Sequence, residues 1–259
     1  MADDANALRR ALEAANAKKS YDQIPRKITA DELRTRLPPQ WAGEYCPGCQ
    51  LPLKEKPCWT CEDKKKKDEA LLLRWKEELG GERAWTLYTE EKFVKTAYNH
   101  AAFLAAQSFT PRQNLLLIGP AGTGKSHLRA IAVRPWVMRG TIVKTVFMQE
   151  ELGQARAQIR LKDEVSSRIS AMVRAPVLCI EDLGVEKPSE WVVNEWYYPI
   201  IDGRYRLAKP GLIVTMNHSF DQLREYWHRF DPHGRVVSRL REVFRDQTYS
   251  LAGERDWRI

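Results

Sequence analysis

An α/β protein is what this sequence predicts: a parallel sheet flanked by helices, preceded by a small zinc-binding N-terminal domain. Three observations carry that expectation. From about residue 88 short apolar runs alternate with segments of helical periodicity, the pattern of a parallel sheet covered on both faces. A glycine-rich turn, Gly119-Pro120-Ala121-Gly122-Thr123-Gly124-Lys125-Ser126, falls between such a strand and such a helix. Four of the 5 cysteines crowd into a short segment ahead of that region.

Composition bounds the answer further. The 259 residues suffice for one full α/β domain and a small appendage, or for two small domains. A hydrophobic share of 43% beside 29% charged residues is that of a soluble globular protein. There is no long apolar stretch and no secretory pattern, and the first residues, MADDANALRRALEAANAKKS, form a charged, alanine-rich helix. A cytoplasmic location and no membrane partner are therefore expected. The net charge of +8 favours polyanionic partners, although it is spread along the chain rather than packed into a tail.

Along the chain, residues 1–40 read as helix followed by turns, closing on Leu37-Pro38-Pro39. Pro47, Gly48, Pro52 and Pro57 keep the cysteine segment irregular. The run EDKKKK reads as a solvated linker or a phosphate-contacting patch, passing into a short amphipathic helix that Gly80-Gly81 ends. The division expected is 1–80 for the N-terminal helix, cysteine module and linker, and 81–259 for the nucleotide domain. Residues 90–107 carry helical spacing. NLLLIG is a buried strand, KSHLRAIAVRPWVMRG a helix that Pro135 should kink or end, and TIVKTVFM a second strand. A polar helix is expected over 149–174, then the strand VLCIED, the helix SEWVVNEWYYPIIDGRYRL and the strand GLIVTMN. An arginine-rich, partly helical stretch and a last strand, QTYSLAG, complete the pattern. Trp191, Trp196, Tyr197 and Tyr198 could stack on bases, but their helical spacing favours the core.

The turn at 119–126 is the strongest chemical motif. Its glycines let backbone N–H groups turn inward around a phosphate chain, and the following helix adds the positive end of its dipole. Lys125 would reach the β- and γ-phosphates of ATP, and the Ser126 hydroxyl would bind Mg²⁺. His127 follows on the first helical turn.

The strand VLCIEDLG ends in two acids, Glu181 and Asp182. Buried carboxylates need a partner, and ligands of open α/β sheets bind at the carboxyl ends of the strands. A strand neighbouring the phosphate loop would bring both acids to the Mg²⁺ and the γ-phosphate. One would hold the metal and the other orient the attacking water. Glu181 is assigned to the metal and Asp182 to the water.

Residues from about 88 to 258 resemble the bacterial DnaC-type helicase-loader and IstB-type transposition-helper branch of the AAA+ ATPases. The resemblance rests on GPAGTGKSHL, RG at 139–140, VLCIEDLGVEKPSEW, IIDGRYRLAKPGLIVTMNHS, GRVVSRLRE and AGERDWR, in that order. It implies a P-loop AAA+ domain in which Asn217 positions the hydrolytic water. It also implies that Arg239 is an arginine finger offered to a neighbouring subunit, and that Arg258 is the sensor arginine near the C-terminus. A finger acting in trans implies a homo-oligomer. The family commonly has Asp first in the acidic pair, whereas Glu181 precedes Asp182 here. Aspartate is one methylene shorter than the glutamate often used for the water, so slow, switch-like hydrolysis is expected.

Cys46, Cys49, Cys58 and Cys61 stand as CxxC-x8-CxxC, which suits tetrahedral Zn²⁺ with each pair wrapping one side of the metal. A cytoplasmic chain disfavours disulfides, and a redox CxxC would not account for two pairs. A module of this kind ahead of a loader-type ATPase looks like the helicase-docking domain of DnaI-type loaders. The partners expected are thus a replicative hexameric DNA helicase and single-stranded DNA. A transposase and duplex DNA form the alternative. Cys179, inside an apolar strand, reads as a small buried hydrophobe.

Overall fold

The computed structural model describes residues 59–157, 162–251, 253 and 255–257. The chain divides into two compact units, Met1–Lys67 and Asp68–Ile259. Cys46, Cys49, Cys58 and Arg258 lie outside the described residues, as does the side chain of Cys61.

The first helix among the described residues, α1, spans Trp59–Glu78. The sequence suggested a linker and then a short helix, but the lysines at 65–67 are exposed positions on this longer one. Gly80 and Gly81 stop it as expected, with φ of 91° and 103° that a side chain would resist. Helix α2 covers Glu82–Leu87. The helical spacing over 90–107 is realised only in part: a 3-10 turn at Glu90–Lys92 and helix α3 at His100–Gln107 are separated by non-helical chain. Asn99 explains the break, because its carboxamide bonds the Thr96 amide (2.8 Å) and the Val94 carbonyl (3.0 Å) and holds a local turn.

Strand β1 (Leu115–Ile118) leads into the phosphate loop and helix α4 (Lys125–Met138). Pro135 does not end α4. It sits in the last turn, where only the carbonyl of Ile131 loses a donor, and the helix runs on to Met138. Strand β2 (Val143–Phe147) is followed directly by helix α5 (Met148–Ala157), and helix α6 covers Lys162–Arg174. These two helices cover the stretch where a helix was expected, 149–174, and residues 158–161 between them lie outside the described residues. Strand β3 (Val177–Leu183) carries the acids. Trp191–Tyr197 winds as a π-helix into α7 (Tyr198–Arg206), and Trp196 and Tyr197 are fully buried, so these aromatics serve the core. Strand β4 (Leu212–Met216), helix α8 (Phe220–Trp227), helix α9 (Arg235–Val243) and strand β5 (Thr248–Ser250) complete the described chain.

The five strands form one sheet in the order β2-β3-β4-β1-β5, with every pair parallel. One expectation is corrected here. The acidic strand β3 is not beside the strand of the phosphate loop, because β4 lies between them. Register still brings the strand ends together: Ile118 of β1 pairs with Met216 of β4, and Met216 with Leu183 of β3. Strand alternation feeds two apolar layers. Leu116, Leu178, Ile180, Leu212 and Val214 join the core on one face, whereas Leu115, Leu117, Val177, Cys179 and Ile213 join the other. Burial on both faces is why these strands read as continuous apolar runs. Among the described residues no helix is long and apolar enough to cross a membrane.

Candidate nucleotide site

At the carboxyl end of the sheet lies a cleft of about 400 Å³ lined by Gly122, Gly124, Lys125, Ser126, Asp182 and Asn217, among others. The phosphate loop forms one wall. Gly124, left-handed at φ 92°, begins α4, so the backbone turns into the helix without a side chain intruding. The Lys125 ammonium donates to the carbonyls of Gly119 (2.8 Å) and Pro120 (2.7 Å) and is almost fully buried at the floor. Thr123 donates to the Pro120 carbonyl at 2.9 Å and stiffens the loop.

Ser126 faces Glu181. Its hydroxyl donates to Oε2 of Glu181 at 2.8 Å, although β4 separates β3 from β1, the strand that leads into α4. Thr215, on that intervening strand, donates to the same oxygen at 2.9 Å. Oε1 accepts from Arg129 Nε at 2.5 Å, and both members of this ion pair are buried. Ser126 and Glu181 therefore present two hard oxygen donors side by side, a set that fits Mg²⁺. A carboxylate this buried would be costly without those compensating donors.

Asp182 behaves differently. It is exposed, lines the cleft and sits at φ 55°, in the left-handed region that aspartate tolerates better than most residues. The pairing of β3 with β4 shifts register between Ile180 and Leu183, so the strand bulges where the acids stand. That bulge turns Glu181 inward and Asp182 toward the open cleft. Asn217 follows β4 directly and lines the same cleft.

The rest of the wall is apolar and aromatic. His127 stacks on Tyr88 with ring centroids 5.1 Å apart and meets the edge of Phe93. Its Nε2 lies 2.7 Å from the Thr89 carbonyl and so carries the hydrogen. Burial holds this imidazole below the usual histidine range, and the Thr89 carbonyl opposes that shift. Leu87, Tyr88, Phe93 and Val94 thus make a surface suited to a planar base. Trp257 also lines the cleft, and its backbone N–H reaches the Gly122 carbonyl at 3.0 Å. The Asp256 side chain packs so closely on Gly122 that a Cβ there would collide with its carboxylate.

The structure brings Lys125, Ser126, His127, Glu181, Asp182 and Asn217 together and leaves Arg239 elsewhere. Arg239 lies on α9, donates to Asp202 (3.2 Å) and Glu242 (3.0 Å), and covers the ring of Tyr205. It is not among the residues lining this chain's own cleft. The sequence reading missed Arg129, Thr215 and the wall at 87–94. A lone cation in the apolar stretch LRAIAV and a lone hydroxyl in LIVTM were signals for the first two. The wall had none, because EEKFV reads as helix.

The IstB-like ATP binding protein family matches residues 93–232, more than half of the chain. Among solved structures, that of DnaI superposes with a TM-score of 0.52 at 19% identity, covering 67% of this chain and 91% of that one. The DnaC helicase loader superposes with a TM-score of 0.51 at 22% identity, covering 66% and 99%. Both show a shared fold. No curated protein sequence matches the chain.

Proposed function

The chain belongs to the IstB-like ATP binding protein family, and from that premise we propose that it is an ATPase that loads a replicative hexameric DNA helicase onto single-stranded DNA. The observation that carries the enzymatic part is the convergence of Lys125, Ser126, Glu181, Asp182 and Asn217 on one cleft, across three strand ends. Lys125 and the loop amides bind the phosphates, and Ser126 with Glu181 would hold Mg²⁺, which neutralises charge on the transferring phosphoryl group. Asp182, at the open side of the bulge, orients and deprotonates the attacking water, and Asn217 fixes that water from β4. Arg239 stands on a helix away from its own cleft, as a finger given to a second copy would. Arg258 is assigned the sensor role at the C-terminus.

The loader assignment draws on the folds of DnaI and of the DnaC helicase loader, joined to the four cysteines of the preceding segment. Cys46, Cys49, Cys58 and Cys61 would hold one structural Zn²⁺, with 1–80 as the N-terminal helix, cysteine module and linker that dock the partner and 81–259 as the ATPase domain. The alternative is an ATP-dependent helper of transposition that remodels duplex DNA and recruits a transposase, and membership of an IstB-like ATP binding family is compatible with either role.

Two measurements test this. Lys125→Ala should abolish ATP binding and turnover. A hexameric helicase should be retained by the zinc-replete protein and lost on Cys46→Ser with Cys49→Ser. Retention of a transposase, with preference for duplex over single-stranded DNA, would replace the loader by the transposition helper.

A further inference from the structure

Glu181 is buried, and its two oxygens are used differently. Oε2 takes the hydroxyls of Ser126 and Thr215, and Oε1 takes the guanidinium of Arg129. The same guanidinium has a second partner outside the cleft: Nη1 donates to the carbonyl of Leu79 at 2.5 Å. Leu79 is fully buried and is the first residue after α1, the helix that begins among the cysteines. The neighbouring carbonyl of Glu78 accepts from Thr145 Oγ1 of β2 at 2.6 Å, so the whole end of α1 is anchored here. Gly80 completes the enclosure, since a Cβ at that position would stand 2.9 Å from Arg129 Nη2.

We propose that Arg129 is a positioning residue that couples the metal acid Glu181 to the C-terminal end of α1. A guanidinium is a planar fork with fixed donor directions, so it cannot follow one partner without lengthening its bond to the other. By holding Oε1 it sets the rotation of the carboxylate and presents Oε2 to the Ser126 side, where Mg²⁺ would bind. Charge drawn from Glu181 onto a metal loosens its hold on Arg129, and the guanidinium then grips Leu79 more tightly. The converse holds by reciprocity: a pull on α1 disturbs the carboxylate. The cysteine-bearing segment leads into α1, which makes this arginine the route by which occupancy of that segment by a partner reaches hydrolysis. The inference rests on the reading of Glu181 as the metal acid.

The test uses the full-length chain, a fluorescent mant-ATP probe and Mg²⁺. In the wild type, adding Mg²⁺ to the ATP complex should slow amide exchange at residues 80–82 at least threefold. Arg129→Lys supplies one ammonium for two partners, so it should erase that slowing and lower kcat at least tenfold, with the affinity for metal-free mant-ATP within twofold. Gly80→Ala keeps Arg129 but crowds Nη2 and strains the backbone at φ 91°, so it should lower both kcat and the thermal midpoint. In a Glu181→Gln background neither change should lower kcat further. Wild-type kcat and unaltered exchange in Arg129→Lys, or full additivity with Glu181→Gln, would overturn the coupling. If Lys125→Ala binds mant-ATP as the wild type does, the nucleotide reading fails first and takes the coupling with it.

Discussion

The hydroxyl of Thr215 donates to Oε2 of Glu181 across 2.9 Å. Its lone pairs accept the backbone N–H of Asp182, also at 2.9 Å. One side chain on β4 thus holds both acids of β3 at the point where the strand bulges. Thr215→Val keeps the shape and removes both bonds. It leaves a buried carboxylate oxygen one donor short, at a cost of about 1–3 kcal/mol. For a domain of this size that corresponds to a thermal midpoint lower by roughly 2–8 °C. Turnover should fall as well, because the bulge that separates the two acids loses its pin. A Val variant with unchanged midpoint and turnover would remove Thr215 from the site.

Asp182 allows the chemistry to be separated from the backbone. Asn, like Asp, tolerates the left-handed φ of 55° found there. Asp182→Asn should therefore fold and bind ATP as the wild type does, with turnover down about 100-fold or more, the scale of a lost general base. Asp182→Glu is a different experiment. The longer side chain reaches further toward the water and should raise turnover per folded molecule. Glutamate is less suited to that φ, so stability should drop by about 1 kcal/mol. Calorimetry beside single-turnover hydrolysis reads both effects. Equal or lower turnover in the Glu variant would refute the geometric account of slow hydrolysis.

These two acids also show how far the sequence carries. An apolar run ending in Glu-Asp beside a glycine-rich turn is enough to place both at one end of a parallel sheet, because burial on two faces leaves a continuous apolar signature. Strand order is another matter. That β4 lies between β1 and β3 is decided by which helix crosses which face, and no local pattern encodes it. The bulge is invisible for the same reason, since it arises from pairing between strands. Arg129 and Thr215 were each visible as a polar residue in apolar company. Their common partner, Glu181, is 52 positions from one and 34 from the other. The break at Asn99 is a local case: side-chain bonds to nearby backbone override helical spacing.

Arg239 is held in the described chain by Asp202, Glu242 and the Tyr205 ring. If it serves a neighbour's nucleotide, Arg239→Ala should leave ATP affinity intact and reduce turnover by about 10³-fold or more, the scale for such a finger. Mixing supplies the sharper result. An Arg239→Ala subunit retains a sound cleft, and an Asp182→Asn subunit retains a sound finger. Mixtures of these two poor hydrolysers should recover turnover with a bell-shaped dependence on their ratio. Activity equal to the weighted sum of the two would mean that the cleft works alone.

Glu186 gives a pH signature independent of turnover. It is buried, faces the Tyr197 hydroxyl, and burial raises its carboxyl above the ordinary value of 4.5. The folded protein thus holds this proton to higher pH than the unfolded chain does. Between 4.5 and the raised folded value the native state binds more protons, so stability from this group falls as pH rises through that window. Above it the full cost of a buried anion is present. Glu186→Gln removes the ionisation and should raise the thermal midpoint at pH 8, with an advantage that shrinks toward pH 4.5. A constant difference across that range would assign the effect to packing.

The cysteines can be counted against one another. Cys179 is fully buried in β3, and burial pushes its thiol up to about 12, so almost no thiolate forms at neutral pH. The remaining four of the 5 cysteines belong to the CxxC pairs. A mercurial titrated into native protein should release one Zn²⁺ per chain as the four thiols react, and Cys179 should react only in denaturant. If these thiolates hold Zn²⁺, protons compete with the metal for sulfur, so acid should release the same single Zn²⁺. Loss of zinc should abolish retention of the helicase and leave mant-ATP affinity within twofold, because the cleft is built from residues of the unit Asp68–Ile259. Five thiols reacting together in native protein, with no metal released, would take the zinc from the segment and Cys179 from the core.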